Sequence, residues 1–424
     1  MKSRVKKLEG TAREFNIEIS KEKVDKVFDE VIADIQKTAK IPGFRPGKAP
    51  LDMIRKRHQE TAIDEVKQRL IPEGYQKALL EHKVKPVSYP EVSDVDIRPS
   101  GILTFIAKVD AHPDFNLRKY KALKVTTEKV NVKDEEAGEA LERIRSMNAE
   151  FPETEGPLKK GDYGICDVQT FMDGEEISKK RENMWIEVDK EASMLGLGEK
   201  LEGLKKGEAK DIEAELPREY PDKKYAGKKA TFRIGIKETR QKKLPELNDD
   251  LAKKAGKETM EEVRKEVRDQ LLERKKANAN IAMKNQILEQ LLTAHSFDLP
   301  GSMVKRQLKV LMEKVENELI SKGVESGAIE SHKANLREKL KKEAEDKVRV
   351  YFILDAIADK ENIDATSEDA DEWLKALAAS YNQPFEKVKE YYQQHDLIAG
   401  LKEQLREEKT LDFLLDEALV SEKK

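Results

Sequence analysis

One short stretch of this chain gathers two cations and an aromatic ring between proline and glycine: Gly43-Phe44-Arg45-Pro46-Gly47-Lys48-Ala49-Pro50. Arginine offers a planar fork of N–H donors to phosphate or carboxylate, lysine a compact positive charge, and phenylalanine an apolar anchor. Pro42, Pro46 and Pro50 fix their own φ, while Gly43 and Gly47 accept positive φ. The pattern predicts a stiff loop that holds Phe44, Arg45 and Lys48 outward, and the chemistry it supports is docking. The plain alternative is a helix–helix connector whose Phe44 tucks back into its own core. Conventional catalytic sets are absent. His58, His82, His112, His295, His332 and His395 are scattered, with no H-x-x-x-H pair, and Cys166 is the single cysteine, so the sequence predicts no metal site. Gly196-Leu197-Gly198-Glu199-Lys200-Leu201-Glu202-Gly203 lacks the G-K-[ST] ending of a phosphate-binding loop and reads as turn glycines between strands. No cofactor is expected.

The loop needs helices to carry it. Val24, Val27, Phe28, Val31, Ile32 and Ile35 fall at helical spacing upstream, and Leu51 and Ile54 open a new apolar face after Pro50, which suits a first helical turn. Ala62, Ile63, Val66, Leu70, Ala78 and Leu79 continue that second helix. Phe15, Ile17 and Ile19 alternate as a half-buried strand, as do Leu103, Phe105, Ala107 and Val109, which predicts a small α+β domain. A connector follows, with a strand-like stretch at Val125 and Val130 and an amphipathic helix marked by Leu141, Ile144 and Met147. Glycine-punctuated alternation then runs from Phe151 to Lys242, with Asp173-Gly174 as a hairpin turn. From Lys243 onward the periodicity is helical, through Val263, Val267, Leu271, Ile281, Ile287, Leu291, then Val304, Leu308, Leu311, Val315, then Leu336, Leu340, Val348, Phe352. Breaks fall at Leu299-Pro300-Gly301 and in the Gly323–Gly327 region. Thr366-x-x-Asp369 reads as a capping box with Asp in place of Glu, and Pro384 as a helix restart.

At 424 residues the chain predicts about three domains of ~100–200 residues. Charged residues outnumber the hydrophobic set, 39% against 38%, which predicts much surface per unit of core and an elongated shape. A formal net charge of -3 argues against a protein built to coat nucleic acid, although Lys37, Lys40, Arg45, Lys48, Arg55, Lys56 and Arg57 face only Asp52 in their segment. One cysteine permits no intrachain disulfide, and no apolar run approaches the ~20 residues of a membrane helix. The basic start lacks the apolar stretch of a signal peptide. A cytoplasmic protein is expected.

The octet resembles the G-F-R-x-G-x-x-P ribosome-binding signature of bacterial trigger factors. The resemblance spans the chain, including the return into helix at Leu244-Pro245-Glu246-Leu247. It implies a multidomain α+β fold: a ribosome-binding α+β domain over 1–112, a connector with an amphipathic helix over 113–150, an FKBP-like peptidyl-prolyl isomerase insert over 151–242, and an elongated all-α chaperone arm domain over 243–424. It assigns ribosome binding to Gly43, Phe44, Arg45, Pro46, Gly47, Lys48 and Pro50. In the insert, Asp173-Gly174-Glu175-Glu176 and the segment from Gly198 to Glu208 are similar to FKBP-like domains, and Trp185, Tyr220 and Phe232 sit where pocket aromatics are expected. Val168, Ile177 and Leu197 stand where that family usually has rings, which implies weak isomerase activity. The implied partners are the ribosome near the nascent-chain exit, through ribosomal protein and ribosomal RNA, and unfolded and nascent polypeptides. No membrane is implied, and a homodimer of the free protein stays open. The implied activity is ATP-independent chaperoning. Two alternatives stay open: a free-standing prolyl isomerase whose other domains recruit substrate, and an RNA-binding ribosome biogenesis factor that would use the same basic loop.

Overall fold

In the computed structural model, residues 1–39, 41–42, 44, 47–97, 101–189, 196–217, 224–322, 324 and 326–423 are described. The chain forms two compact units, one from Met1–Val125, Met283–Ser321 and Glu325–Ser421, the other mainly from Thr126–Ala282.

The first unit begins with strands β1 (Lys2–Lys7) and β2 (Ala12–Ile19), followed by helices α1 (Lys21–Thr38), α2 (Leu51–Arg57) and α3 (Gln59–His82) and strands β3 (Glu91–Ile97) and β4 (Leu103–Asp110). The antiparallel sheet runs β1-β2-β4-β3. Alternation decides which face is buried: Phe15, Ile17 and Ile19 on β2, and Leu103, Phe105, Ala107 and Val109 on β4, turn inward together. Val24, Val27, Val31 and Ile32 of α1 close over them with Ala62, Val66 and Leu70 of α3. The predicted second helix is two helices, because the chain breaks at His58, which ends α2 and precedes α3. Gly74 lets α3 approach the sheet, since a Cβ there would stand 3.1 Å from Ile19 and 3.4 Å from Phe105.

β5 (Lys124–Thr127) and α4 (Asp134–Met147) follow. Leu141 is buried on α4 and Ile144 half-buried, whereas Met147 is 85% exposed, so the buried stripe of that helix ends before it. The β-rich part comprises β6 (Glu153–Thr154), β7 (Tyr163–Met172), β8 (Glu175–Glu187), β9 (Ala209–Glu215) and β10 (Lys229–Arg240). They pair antiparallel in the order β6-β10-β7-β8, with β9 also on β10. Asp173 and Gly174, at φ 52° and 87°, make the two-residue turn between β7 and β8.

The helices are α5 (Asp249–Lys254), α6 (Met260–Ala294), α7 (Gly301–Ser321), α8 (Ser326–Glu361), α9 (Ser367–Ser380), α10 (Phe385–Gln394) and α11 (Ile398–Asp416), before a last strand, β11 (Leu419–Glu422), pairs with β5. Gly327, expected in a loop, lies in the first turn of α8. In the second unit Met260, Val263 and Val267 of α6 pack with Leu141 and Ala252. In the first, Met283, Ile287 and Leu291 of α6 meet Ile353, Leu354 and Ile357 of α8 and Leu414 of α11. The capping box at α9 forms as read: Asp369 N–H donates to Thr366 Oγ1 at 3.2 Å, and Thr366 N–H donates to Asp369 Oδ2 at 2.7 Å.

Candidate docking loop, isomerase-like pocket and groove

The loop after α1 is held at both ends by the core. Ala39 leaves the helix in extended conformation, Ile41 plunges into the core at 5% exposure, and Ala49 does so at 3% before α2 begins. Gln36 ties the two ends together, with its carbonyl accepting from Gly47 N–H at 3.1 Å and its Nε2 donating to Ala49 O at 2.6 Å. Gly47 has φ +82° with open space around it, so its backbone conformation, not crowding, calls for glycine. Between these anchors Phe44 is 40% exposed, and Lys48 and Pro50 are exposed too. Pro50 precedes the first helical residue of α2 instead of occupying its first turn. Gly43, Arg45 and Pro46 lie outside the described residues. The basic surroundings divide by partnership. Lys37 is paired with Asp34 and Arg55 with Asp29, whereas Lys48, Lys56 and Arg57 are exposed and have no ion-pair partner among the described residues. An exposed ring beside uncommitted cations suits a docking surface better than a catalytic one.

In the β-rich part, Val168, Leu197 and Phe232 are buried in one apolar cluster with Leu201 and Ile212, and Ile177, Met172 and Met184 pack against it. Trp185 does not join them. Met184 stands opposite Cys166, whose side chain belongs to the cluster, so the pleat sends the next residue to the other face. There the indole is 51% exposed and packs on Phe151 and Tyr163, at ring-centroid distances of 5.8 and 6.0 Å. Met184, with no signal in the sequence to single it out, takes the inward place. Tyr220 lies outside the described residues. Cys166 is fully buried, and burial pushes its thiol up to about 12, which makes it a packing residue and not a nucleophile.

A third feature was not legible in the sequence. In the first unit a groove of about 830 Å³ runs between α6, α7, α8 and α11, lined by Leu288, Leu292, Met303, Val348, Val350 and Tyr351 with Arg306, Glu403 and Glu407 among its polar groups. A hollow of about 450 Å³ shares Met303, Arg306, Tyr351 and Glu403 with it and is also lined by Tyr89, which is 96% exposed. These residues come from segments far apart in the chain, and no local pattern marks them. Burial, then the carboxylates of Glu403 and Asp355, push the Glu407 carboxyl above its usual range. An acid raised in the folded state costs stability as pH climbs from the unfolded carboxyl range through the raised folded value. Glu407→Gln removes that cost. Its melting temperature is expected to exceed that of the wild type at pH 7, by the equivalent of about 1 kcal/mol, and to match it at pH 4. Thermal melts at the two pH values check this, and equal melting at pH 7 would contradict it.

Among the described residues no cluster of histidine, cysteine and carboxylate could hold a metal ion, and no helix is long and apolar enough to cross a membrane. The buried His295 is structural, bonded through Nδ1 to Leu291 O at 2.8 Å and through Nε2 to Arg118 N–H at 2.9 Å.

The sequence profile of the bacterial trigger factor protein (TF) family matches residues 1–144, and that of the trigger factor C-terminus matches residues 259–416. A trigger factor of Geobacillus thermodenitrificans (strain NG80-2) is 35% identical over 427 residues, covering 98% of each chain. The chain belongs to the bacterial trigger factor family. A trigger factor of Anoxybacillus flavithermus (strain DSM 21510 / WK1) is 34% identical, covering 99% of this chain and all of that one. A solved structure of the trigger factor chaperone matches 98% of this chain with a TM-score of 0.52 at 21% identity, a likeness of fold. The multidomain α+β architecture, with its β-rich middle and helical C-terminal region, is the trigger factor fold. Members of the family are ribosome-associated chaperones, and the family includes a peptidyl-prolyl isomerase domain.

Proposed function

We propose that this chain docks on the ribosome through the loop Gly43–Pro50, holds unfolded polypeptide in the groove between α6, α7, α8 and α11, and turns over prolyl bonds slowly in its β-rich unit. One observation carries the docking reading: Phe44 and Lys48 stand exposed on a loop whose two ends, Ile41 and Ala49, are sunk in the core. The ring favours a ribosomal protein as the primary contact, and the uncommitted Lys48, Lys56 and Arg57 add attraction to nearby ribosomal RNA. Ribosome co-sedimentation over a salt series tests it. Binding weakens as salt rises but persists, since screening reaches the cations and leaves the apolar anchor. The cytoplasm, where ribosomes and nascent chains meet, is the compartment this reading requires.

Holding needs no fuel. Covering ~400 Å² of apolar client surface yields at most ~10 kcal/mol at ~25 cal/mol per Å², and ordering a flexible segment takes back several kcal/mol. Roughly micromolar, rapidly reversible contacts remain. Docking compensates by raising the local concentration of client.

For isomerisation, the supporting feature is the apolar cluster of Val168, Ile177, Leu197 and Phe232. An X-Pro bond rotates over a resonance barrier of ~18–20 kcal/mol, and a dry cleft that favours the twisted imide lowers it without a nucleophile. With Trp185 turned away and aliphatic side chains where rings are usual, the wall is poor in aromatic contacts. A protease-coupled proline peptide assay on the full chain is expected to show slow turnover that falls about tenfold in Phe232→Ala, the equivalent of ~1.4 kcal/mol. No catalysis above buffer would leave the pocket as a binding site for proline-containing clients.

A further inference from the structure

On the outer face of the β-rich sheet, Asp167 of β7 gathers partners from both neighbouring strands. It accepts from Lys180 Nζ at 2.6 Å and from the backbone N–H of Asn183 at 3.2 Å, both on β8, and from Lys237 Nζ of β10 at 3.0 Å. Lys237 also donates to Asn183 Oδ1 at 3.0 Å, which closes the network. The Lys180 ammonium first, then Lys237 and the Asn183 N–H, hold the Asp167 carboxyl at about 2, so it stays ionised throughout the working range of the protein.

This network sits where β8 departs from regular pairing. The β7–β8 register steps from Cys166↔Met184 to Val168↔Arg181, then to Thr170↔Ser178, then to Phe171↔Glu176. Each step leaves one extra residue on β8, and Asn183, Lys180 and Ile177 fall in the three irregular steps in turn. Asn183 is at φ +56°, a left-handed conformation suited to a bulge. A bulge takes a backbone N–H out of the ladder, and Asp167 provides the acceptor that the ladder no longer does. The same irregular strand delivers Met184 and Ile177 to the cluster of Val168, Leu197 and Phe232.

We propose that Asp167 is a positioning residue for prolyl isomerisation: by gathering Lys180, Asn183 and Lys237 it fixes the bulged path of β8, and with it the seating of Ile177 and Met184 against the apolar cluster of Val168, Leu197 and Phe232. The proposal rests on the isomerase reading of the β-rich unit. In this reading Asp167 acts through β8, held from the other side by Lys237 of β10, and not by contact with substrate.

The test compares proline peptide turnover by the full-length wild type, Asp167→Ala, Asp167→Asn and a control, Asp211→Ala. Asp211 pairs with Arg233 across β9 and β10 of the same sheet and does not touch β8. Asp167→Ala is expected to lose at least tenfold in kcat/KM and, in a Trp373→Phe background that leaves one indole, to shift the emission of Trp185, which rides on β8. Asp167→Asn keeps an acceptor for the Asn183 N–H and recovers part of both. Asp211→Ala changes neither. If Asp167→Ala fails to fold, Asp167→Asn decides: turnover between the wild-type and the buffer rate, with a shifted Trp185 emission read in a Trp373→Phe background, supports the proposal, and wild-type values of both overturn it. A catalysing wild type with an indifferent Asp167, or a loss no greater than that of Asp211→Ala, overturns the proposal alone. A wild type with no turnover above buffer overturns the isomerase reading and this proposal with it.

Discussion

Replacing Phe44, Arg45 and Pro46 together by alanine is expected to abolish ribosome co-sedimentation and to leave the melting temperature unchanged. The two halves of that result have separate physical origins. Folding of this region depends on Ile41 and Ala49, which are buried, on the Gln36 bonds to Gly47 and Ala49, and on Ile54, fully buried on α2, and none of these is touched. On the proposed reading, docking depends on Phe44, exposed between the anchors, and on the chemistry of Arg45. An aromatic anchor at an interface centre and an arginine contact each carry about 2 kcal/mol or more when truncated, so losing both weakens binding by roughly a thousandfold. Phe44→Ala alone should cost about 2 kcal/mol, roughly thirtyfold. Lys48→Ala should cost less and reduce the salt dependence, because an exposed cation acts through a screened field. Unchanged co-sedimentation with an unchanged melting temperature would falsify the docking role of the loop.

Of the loop, the sequence made legible the outward setting of Phe44 and Lys48, because prolines and glycines at short spacing leave few backbone paths, while Gly43, Arg45 and Pro46 lie outside the described residues. Strands β2 and β4 were legible for a related reason, since Phe15-x-Ile17-x-Ile19 and Leu103-x-Phe105-x-Ala107-x-Val109 alternate without interruption. Their edge partners were not. β1 reads Lys-Ser-Arg-Val-Lys-Lys and β3 reads Glu-Val-Ser-Asp-Val-Asp-Ile, largely exposed strands whose charges guard an open edge and erase the alternation. Trp185 shows a second limit. Resemblance aligned it with a pocket ring, but which face a strand residue takes depends on register, and β8 has three irregular steps that sequence spacing does not reveal. The groove shows a third. Tyr89, Met303, Tyr351 and Glu403 converge only through tertiary packing, and each taken singly resembles an ordinary helix or loop residue.

Excising residues 151–242 and joining the ends with a short linker should yield a folded protein that still suppresses aggregation of a refolding client, with prolyl isomerase activity reduced to the buffer rate. Glu150 and Lys243, the residues left at the cut, already face each other as an antiparallel bridge: Glu150 N–H donates to Lys243 O at 3.0 Å and Lys243 N–H to Glu150 O at 2.8 Å. Rejoining them closes a gap the native fold has closed in space, so little loop entropy is added. Among the described residues, the apolar cluster of the excised segment draws all its members from Leu158 to Ile236 and takes no side chain from what remains. On the retained side, Leu141, Ala252, Met260, Val263 and Val267 form their own cluster, Arg145 Nε donates to Pro245 O at 2.7 Å, and Lys254 pairs with Glu150 at 2.7 Å, so the join is buttressed by contacts that survive the cut. The groove belongs to the other compact unit, and its lining residues lie outside the excised range. Light-scattering of a refolding client should therefore show suppression within about twofold of the full chain at equal concentration, and the proline peptide assay should show none of the wild-type acceleration. If the shortened chain melts cooperatively yet no longer holds the client, the principal client surface lies between 151 and 242, and the balance moves to the enzyme-centred reading in which the helices only recruit substrate.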